Sequence, residues 1–143
     1  MKLKIVKIDN NAVIPSQANS NDVGLDLVAI NKQAELESGA ILYGTGIIVT
    51  PGDGYYVEIV PRSSIIKTGW ILANNVGIID PDYTGELKIA LTRIKPDAEE
   101  LELPFCKTQL ICRQIIKPEI EITEEILHTD RNSNGFGSTG SRI

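Results

Sequence analysis

The chain has 143 residues, 42% of them apolar and 23% charged, with a formal net charge of -5. That length suits one domain able to bury roughly 70% of the surface its unfolded chain exposes, and the composition excludes a chain disordered throughout. The negative balance excludes a broad nucleic-acid-gripping face, which needs dense positive charge to displace counterions. Any phosphate ligand therefore has to meet a local cationic pocket.

The first eight residues alternate charged and apolar side chains. They read as a strand and lack the continuous apolar core of a signal peptide. No stretch approaches the roughly 20 apolar residues of a membrane span. No membrane partner is expected, and the expected location is cytoplasmic, with the nucleus or a virus-infected host cell left open. Period-2 alternation and β-branched runs predict strands at 2–8, 24–30, 46–50, 55–60, 86–92, 108–116 and 119–123. Between two of them, Pro51-Gly-Asp-Gly54 has the glycines of a tight reversal and predicts a β-hairpin. Residues 63–68 read as one short helix. Many short strands with closely spaced turns predict an all-β sandwich or jelly roll.

Cys106 and Cys112 stand an even number of residues apart in one apolar run. On a strand they are expected to face the same side without meeting, so no disulfide is expected. His128 is the only histidine, which leaves no structural zinc site or Cys-His pair. The thiols read as small buried hydrophobes in a reduced compartment. From Asp130 onward the chain is glycine- and serine-rich with a lone aromatic, Phe136. Such a segment cannot hold itself in place; it is a frayed end or an arm that orders on a ligand or a neighbouring subunit. The expected division is a body at 1–129 and an arm at 130–143.

Three segments carry residues suited to chemistry. In Pro61-Arg62-Ser63-Ser64 an arginine fork, two hydroxyls and the N–H groups of a helix start can hold phosphate oxygens. The same residues also fit a surface arginine beside a serine N-cap. In the segment 74–86, Asp80 ends an apolar run and can orient and deprotonate a water, with Tyr83 a flat wall against a sugar or ring. Asp80-Pro-Asp-Tyr83 also fits a type I turn in a hairpin with the ring packed down. In the tail, Phe136 can stack on a base while Arg131 and the backbone at Gly137, Ser138 and Thr139 cover phosphates. That segment is no P-loop, since it lacks the lysine and follows no strand. Glu121, Glu124 and Glu125 have a spacing found in helical nucleotide pyrophosphatases, but without a second acidic pair they read as a solvated edge. Residues 97–102 read as an exposed acidic loop and strand edge.

Taken in order, these segments resemble the five motifs of the trimeric all-β dUTPase family. Asp22-Val-Gly-Leu-Asp26 is similar to the first, Pro61-Arg-Ser-Ser64 to the second and Asn74 to Glu86 to the third. Gln109-Leu-Ile is similar to the end of the fourth, and Arg131 to Gly140 to the glycine-rich fifth. The resemblance implies a β jelly roll that forms a homotrimer, with sites at subunit contacts and magnesium-dependent cleavage of dUTP to dUMP and pyrophosphate. Such an activity keeps uracil out of DNA and supplies dUMP for dTMP synthesis.

It also implies roles. Asp80 activates the attacking water, and Tyr83 packs beneath the deoxyribose where a 2′-hydroxyl would collide. Asn74, Gly77, Ile78 and Ile79 read uracil through backbone groups and an amide. Ser63 and Gln109 contact the phosphates, with Arg62 supporting them. Ser64 and Lys88 belong to the same substrate surroundings, and Asp26 partners Mg2+ through water. Phe136 stacks on uracil, with Arg131, Gly137 and Ser138 over the phosphates. The chain departs from the pattern at Cys106-Lys-Thr-Gln109, where the family has Arg-Ile-Ala-Gln, at Asn132 and Asn134 in place of glycines, and at Ser64. A dCTP deaminase shares the fold but needs a glutamate on the strand after the third motif, and residues 87–93 contain no acid. A binding or signalling protein that keeps the site without turnover is the other reading.

Overall fold

The computed structural model describes residues 1–138. Ten strands run along the described residues: β1 (Lys4–Lys7), β2 (Leu25–Ala29), β3 (Asn31–Glu35), β4 (Ile41–Gly44), β5 (Ile47–Thr50), β6 (Tyr55–Pro61), β7 (Trp70–Leu72), β8 (Gly77–Ile79), β9 (Lys88–Arg93) and β10 (Phe105–Gln114). The one helical element among the described residues is a 3-10 helix at Ser63–Lys67. No helix among the described residues is long and apolar enough to cross a membrane.

Two four-stranded sheets, ordered β2-β10-β6-β8 and β3-β4-β9-β7, face each other, with β1-β5 as a separate pair. All strand pairings are antiparallel. Alternation along the strands decides which side chains fill the space between. Val57 and Ile59 of β6 and Leu110 of β10 point inward and are buried, while Tyr56, Glu58 and Val60 face out. Ile41, Tyr43, Ile89, Leu91, Trp70 and Leu72 answer from the second sheet. Each fully buried aliphatic side chain contributes about 1.5–3 kcal/mol by leaving water. Trp70 is fully buried, and its indole N–H donates to the carbonyl of Glu99 at 2.9 Å, which removes the cost of burying that donor. The result is the all-β sandwich expected from the strand pattern.

Several sequence expectations differ from the structure. Residues 51–54 do turn the chain, with the Tyr55 N–H on the Gly52 carbonyl at 3.2 Å and Gly54 at φ 78°. They do not make a hairpin: β5 pairs with β1, whereas β6 pairs with β10 and β8. The turn carries the chain from one sheet to another. No strand forms at 119–123. The chain there lies off the sheets with Ile120 and Ile122 almost wholly exposed, so it has no neighbouring strand to complete its hydrogen bonds. The acidic residues 97–102 are a loop rather than a strand edge.

The cysteines do not share a face. Between Phe105 and Thr108 the register of β10 against β2 slips by one residue, a bulge that inverts side-chain parity. Cys112 packs against the core, where burial raises its pKa. The thiol of Cys106 instead meets the Arg62 guanidinium. Both cysteines are free.

Candidate active site

The residues singled out in the sequence gather into two clefts. The first is lined by Asp22, Gly24, Asp26, Arg62, Ser63 and Gln109, with Val23 and Ile111. It lies on the outer face of the β2-β10-β6-β8 sheet, where Gln109 stands between Asp26 on one side and Val60 on the other. Arg62 leaves the end of β6 and is held on two sides. Its Nε donates to Asp26 Oδ1 at 3.1 Å, and its Nη1 reaches Cys106 Sγ at 3.1 Å and the Cys106 carbonyl at 3.4 Å. The Cys106 contact, ahead of the Asp26 and Asp22 charges, raises the guanidinium's pKa above its already high value and keeps it cationic.

Gln109 donates to the Pro61 carbonyl at 3.0 Å. Its side chain fills the place a Cβ would take at Gly24, only 2.0 Å from the Gln109 Oε1, so a larger residue at 24 would expel it. The 3-10 helix starts without a side-chain cap. The serines are thus not spent as N-caps, and the arginine-serine turn remains able to receive an anion.

Ile78, Ile79, Asp80, Tyr83, Glu86 and Lys88 line the second cleft. The strand β8 that delivers Asp80 sits close to β6 because Gly77 has no side chain; a Cβ there would come within 3.2 Å of the Ile59 Cβ, with the Asn74 amide 3.4 Å away. Asn75 turns the chain into β8 at φ 59°, a left-handed conformation that asparagine tolerates. After β8 the Tyr83 N–H bonds the Asp80 carbonyl at 3.1 Å, the turn expected from the sequence. The strands it joins lie in different sheets, so this too is no hairpin.

Tyr83 folds back over Gly85, and its hydroxyl donates to the Glu86 carbonyl at 3.1 Å. Its ring is therefore fixed yet 43% exposed, a wall rather than a core residue. The Asp80 carboxylate is exposed, and every hydrogen bond among the described residues leaves it uncommitted. Asp80 also borders a larger, more apolar cleft formed with Tyr56, Ile78, Pro81, Asp82, Ile115 and Lys117.

The two clefts share no lining residue. Ile79 is level with Val57 in the β6–β8 register, five positions before Arg62, and Asp80 follows Ile79 beyond the paired stretch. The clefts thus lie toward opposite ends of β6 in one copy.

Ser64 is half-buried and lines neither cleft. The tail residues are not brought to either: Arg131 Nε bonds the Asn134 carbonyl at 3.1 Å, Ser138 N–H bonds the Gly135 carbonyl at 3.0 Å, and Phe136 is fully exposed. Phe136 and Gly137 adopt φ 51° and 80°. Thr139 and Gly140, the end of the glycine-rich segment, lie outside the described residues. Sequence reasoning missed Glu86, which lines the second cleft, and Cys106, which holds Arg62.

An all-β sandwich with one cleft built around a fixed arginine and another around an uncommitted carboxylate and an aromatic wall has the groups that can receive a small phosphorylated ligand. The family model for dUTPase matches residues 10–140. The deoxyuridine 5'-triphosphate nucleotidohydrolase of Nautilia profundicola is 36% identical over 141 residues, covering 98% of this chain and 99% of that protein. That of Rickettsia massiliae is 35% identical over 143 residues, covering 97% of each. A mutant dUTPase of Staphylococcus bacteriophage 80alpha, solved with dUpNHpp, superposes with a TM-score of 0.73 at 19% identity over 98% of this chain and 99% of that one. A mutant dUTPase from phage phi11 of S. aureus, whose structure is described for the coordination of a structural Mg(II) ion, gives 0.66 at 19% identity, covering 88% and 99%. These last two likenesses are of fold. The chain belongs to the dUTPase family, the hydrolases of deoxyuridine triphosphate.

Proposed function

We propose that the chain hydrolyses dUTP to dUMP and pyrophosphate at sites completed between the subunits of a homotrimer. The observation that carries this reading is the separation of the two clefts. A water activated by Asp80 must reach the α-phosphorus of the same triphosphate that Arg62, Ser63 and Gln109 hold, and in one copy these groups line separate clefts toward opposite ends of β6. A second copy bringing its arginine cleft against the Asp80 cleft removes the gap. Half-exposed Val28, Val60 and Ile111 beside exposed Ile78 on the outer sheet face, and Ile116, Ile120, Ile122, Ile126 and Leu127 at 81–95% exposure, support burial against other copies.

At such a site the Asp80 carboxylate accepts a proton from water as the water oxygen bonds to the α-phosphorus. The bond from that phosphorus to the bridging oxygen breaks, and pyrophosphate leaves with the electron pair. Tyr83 lies beneath the deoxyribose and excludes a 2′-hydroxyl by shape. The backbone at Gly77, Ile78 and Ile79, with the Asn74 amide, reads uracil; cytosine's donor pattern would leave buried groups mismatched, which costs more than a missing contact. Lys88 adds positive charge beside Asp80, and Ser64 backs the phosphate turn.

Magnesium fits as an ion that arrives with the triphosphate. No three His, Cys, Asp or Glu side chains gather as a metal cage among the described residues. Asp26 and Asp22 share the arginine cleft, where Asp26 would hold the ion through water. Bound there, magnesium would neutralise phosphate charge. Residues 130–143 act as an arm over the site, Phe136 on the base and Arg131, Gly137 and Ser138 on the phosphates, while 1–129 form the body. We place the enzyme in the cytoplasm, where it keeps uracil out of DNA and supplies dUMP for dTMP synthesis.

The test uses mixed oligomers of Asp80→Asn and Arg62→Ala chains, each inactive alone. Random mixing at equal amounts gives about a quarter of the sites both native groups if neighbours share a site. Mixtures that stay inactive despite verified subunit exchange would refute the shared site.

A further inference from the structure

Glu86 carries three connections that tie the Tyr83 wall to the far sheet. Its backbone carbonyl accepts the Tyr83 hydroxyl at 3.1 Å. Its carboxylate Oε1 accepts the Gly46 N–H at 2.8 Å, and its Oε2 accepts the Gln33 amide at 2.8 Å. Gly46 lies in the bend between β4 and β5, and Gln33 lies on β3. The clamp occupies the space above Gly44: a Cβ there would meet Gln33 Nε2, Asn31 Oδ1 at 2.5 Å and Glu86 Oε1 at 2.7 Å. The next residue is gripped as well, since the Leu87 N–H bonds the Ile47 carbonyl at 2.9 Å and the Leu87 carbonyl accepts the Thr45 hydroxyl at 2.7 Å. The turn that carries Asp80 and Tyr83 is otherwise exposed, so this anchor is what fixes its far end.

We infer that Glu86 is a positioning residue for sugar discrimination. The Gln33–Glu86–Gly46 clamp sets the height of the Tyr83 ring in the cleft, so the preference for deoxyribose depends on contacts outside it. The inference rests on the role proposed for Tyr83. Charge-assisted hydrogen bonds to the carboxylate are the stronger kind, and one accepts from a backbone N–H that has no mobile side chain behind it. Cutting them leaves the Glu86 carbonyl held only through the Leu87 N–H of the same peptide, so the acceptor of Tyr83 loosens and the ring shifts with it.

The experiment measures kcat/KM for dUTP and UTP in wild type, Tyr83→Ala, Tyr83→Phe, Glu86→Ala, Glu86→Gln and Gln33→Ala. A wild type without dUTP preference, or a Tyr83→Ala enzyme with an unchanged ratio, would overturn the reading of Tyr83 itself. With that reading intact, Glu86→Ala is expected to lower the dUTP-to-UTP ratio about fivefold to thirtyfold, the worth of one to two hydrogen bonds. Glu86→Gln should restore most of it, because an amide oxygen still accepts from Gly46 and a reversed Gln33 amide still pairs with it. Tyr83→Phe and Glu86→Ala should be non-additive when combined. If Glu86→Ala fails to fold, Gln33→Ala, which removes one arm of the clamp outside the cleft, should lower the ratio by a smaller factor. A wild-type ratio in both Glu86→Ala and Gln33→Ala, or Glu86→Gln as impaired as Glu86→Ala, overturns the inference.

Discussion

Replacing Gly85 with alanine isolates the Tyr83 wall from everything else in the fold. Gly85 does not need a left-handed backbone, so alanine meets no conformational penalty there. Its Cβ would lie 2.4 Å from the Tyr83 hydroxyl oxygen and 2.5 Å from the ring carbon that bears it. Both are the far end of a side chain 43% exposed, and the ring can swing outward without disturbing the core. The loss is one hydrogen bond, from the Tyr83 hydroxyl to the Glu86 carbonyl, worth about 0.5–1.5 kcal/mol. For a domain of this size Tm should fall by about 2–5 °C. The kinetic effect should be much larger in relative terms. A wall that rejects one hydroxyl by shape is worth about 1–3 kcal/mol of discrimination, or about tenfold to two-hundredfold in the ratio of kcat/KM for dUTP over UTP. The assay is pyrophosphate release with each nucleotide beside a thermal melt. A Gly85→Ala enzyme that keeps the wild-type ratio would refute the assignment of Tyr83, and a collapse of Tm would refute the claim that the ring is free of the core.

Two other outcomes are expected. Asp80→Asn should bind dUTP as the wild type does but lose turnover, read by equilibrium binding beside pyrophosphate release; an unchanged rate contradicts the general-base role. Glu58, whose side chain is 12% exposed, titrates below the usual carboxylate range because the Tyr56 hydroxyl and, after an opposing contribution from burial, Arg113 hydrogen-bond it. Its stabilising contribution is complete above about pH 4.3, the ordinary glutamate value, and is lost as pH falls through the lower folded value. The Tm gap between wild type and Glu58→Gln at pH 7 should therefore shrink at pH 3, and a constant gap would contradict the linkage.

The strands that alternate strongly were legible in the sequence: β6, and β10 beyond its bulge, turn alternate residues toward the space between two sheets, and their pattern says so. β3 was not, because Asn-Lys-Gln-Ala-Glu is polar with one half-buried alanine at 34, an edge strand held by backbone pairing to β4 rather than by burial. The Pro51-to-Gly54 turn reads identically whether the chain folds back on the same sheet or crosses to another, since turn chemistry fixes the reversal and not the partner. The side of Cys106 depended on a bulge that leaves no local mark. Most members of each cleft were legible through their motifs, but their separation was not, because it follows from the β6–β8 register. Glu86 was hidden for a related reason: its partner Gln33 is 53 residues away, and a glutamate at a strand start looks like a solvated charge.

Pyrophosphate release from dUTP, dCTP, dTTP and UTP in the presence of magnesium, with EDTA as control, tests the central claim most directly. Release from dUTP alone, abolished by EDTA, is the predicted result. Binding of dUTP without release of pyrophosphate from any of the four would contradict it and leave a nucleotide-binding protein without turnover.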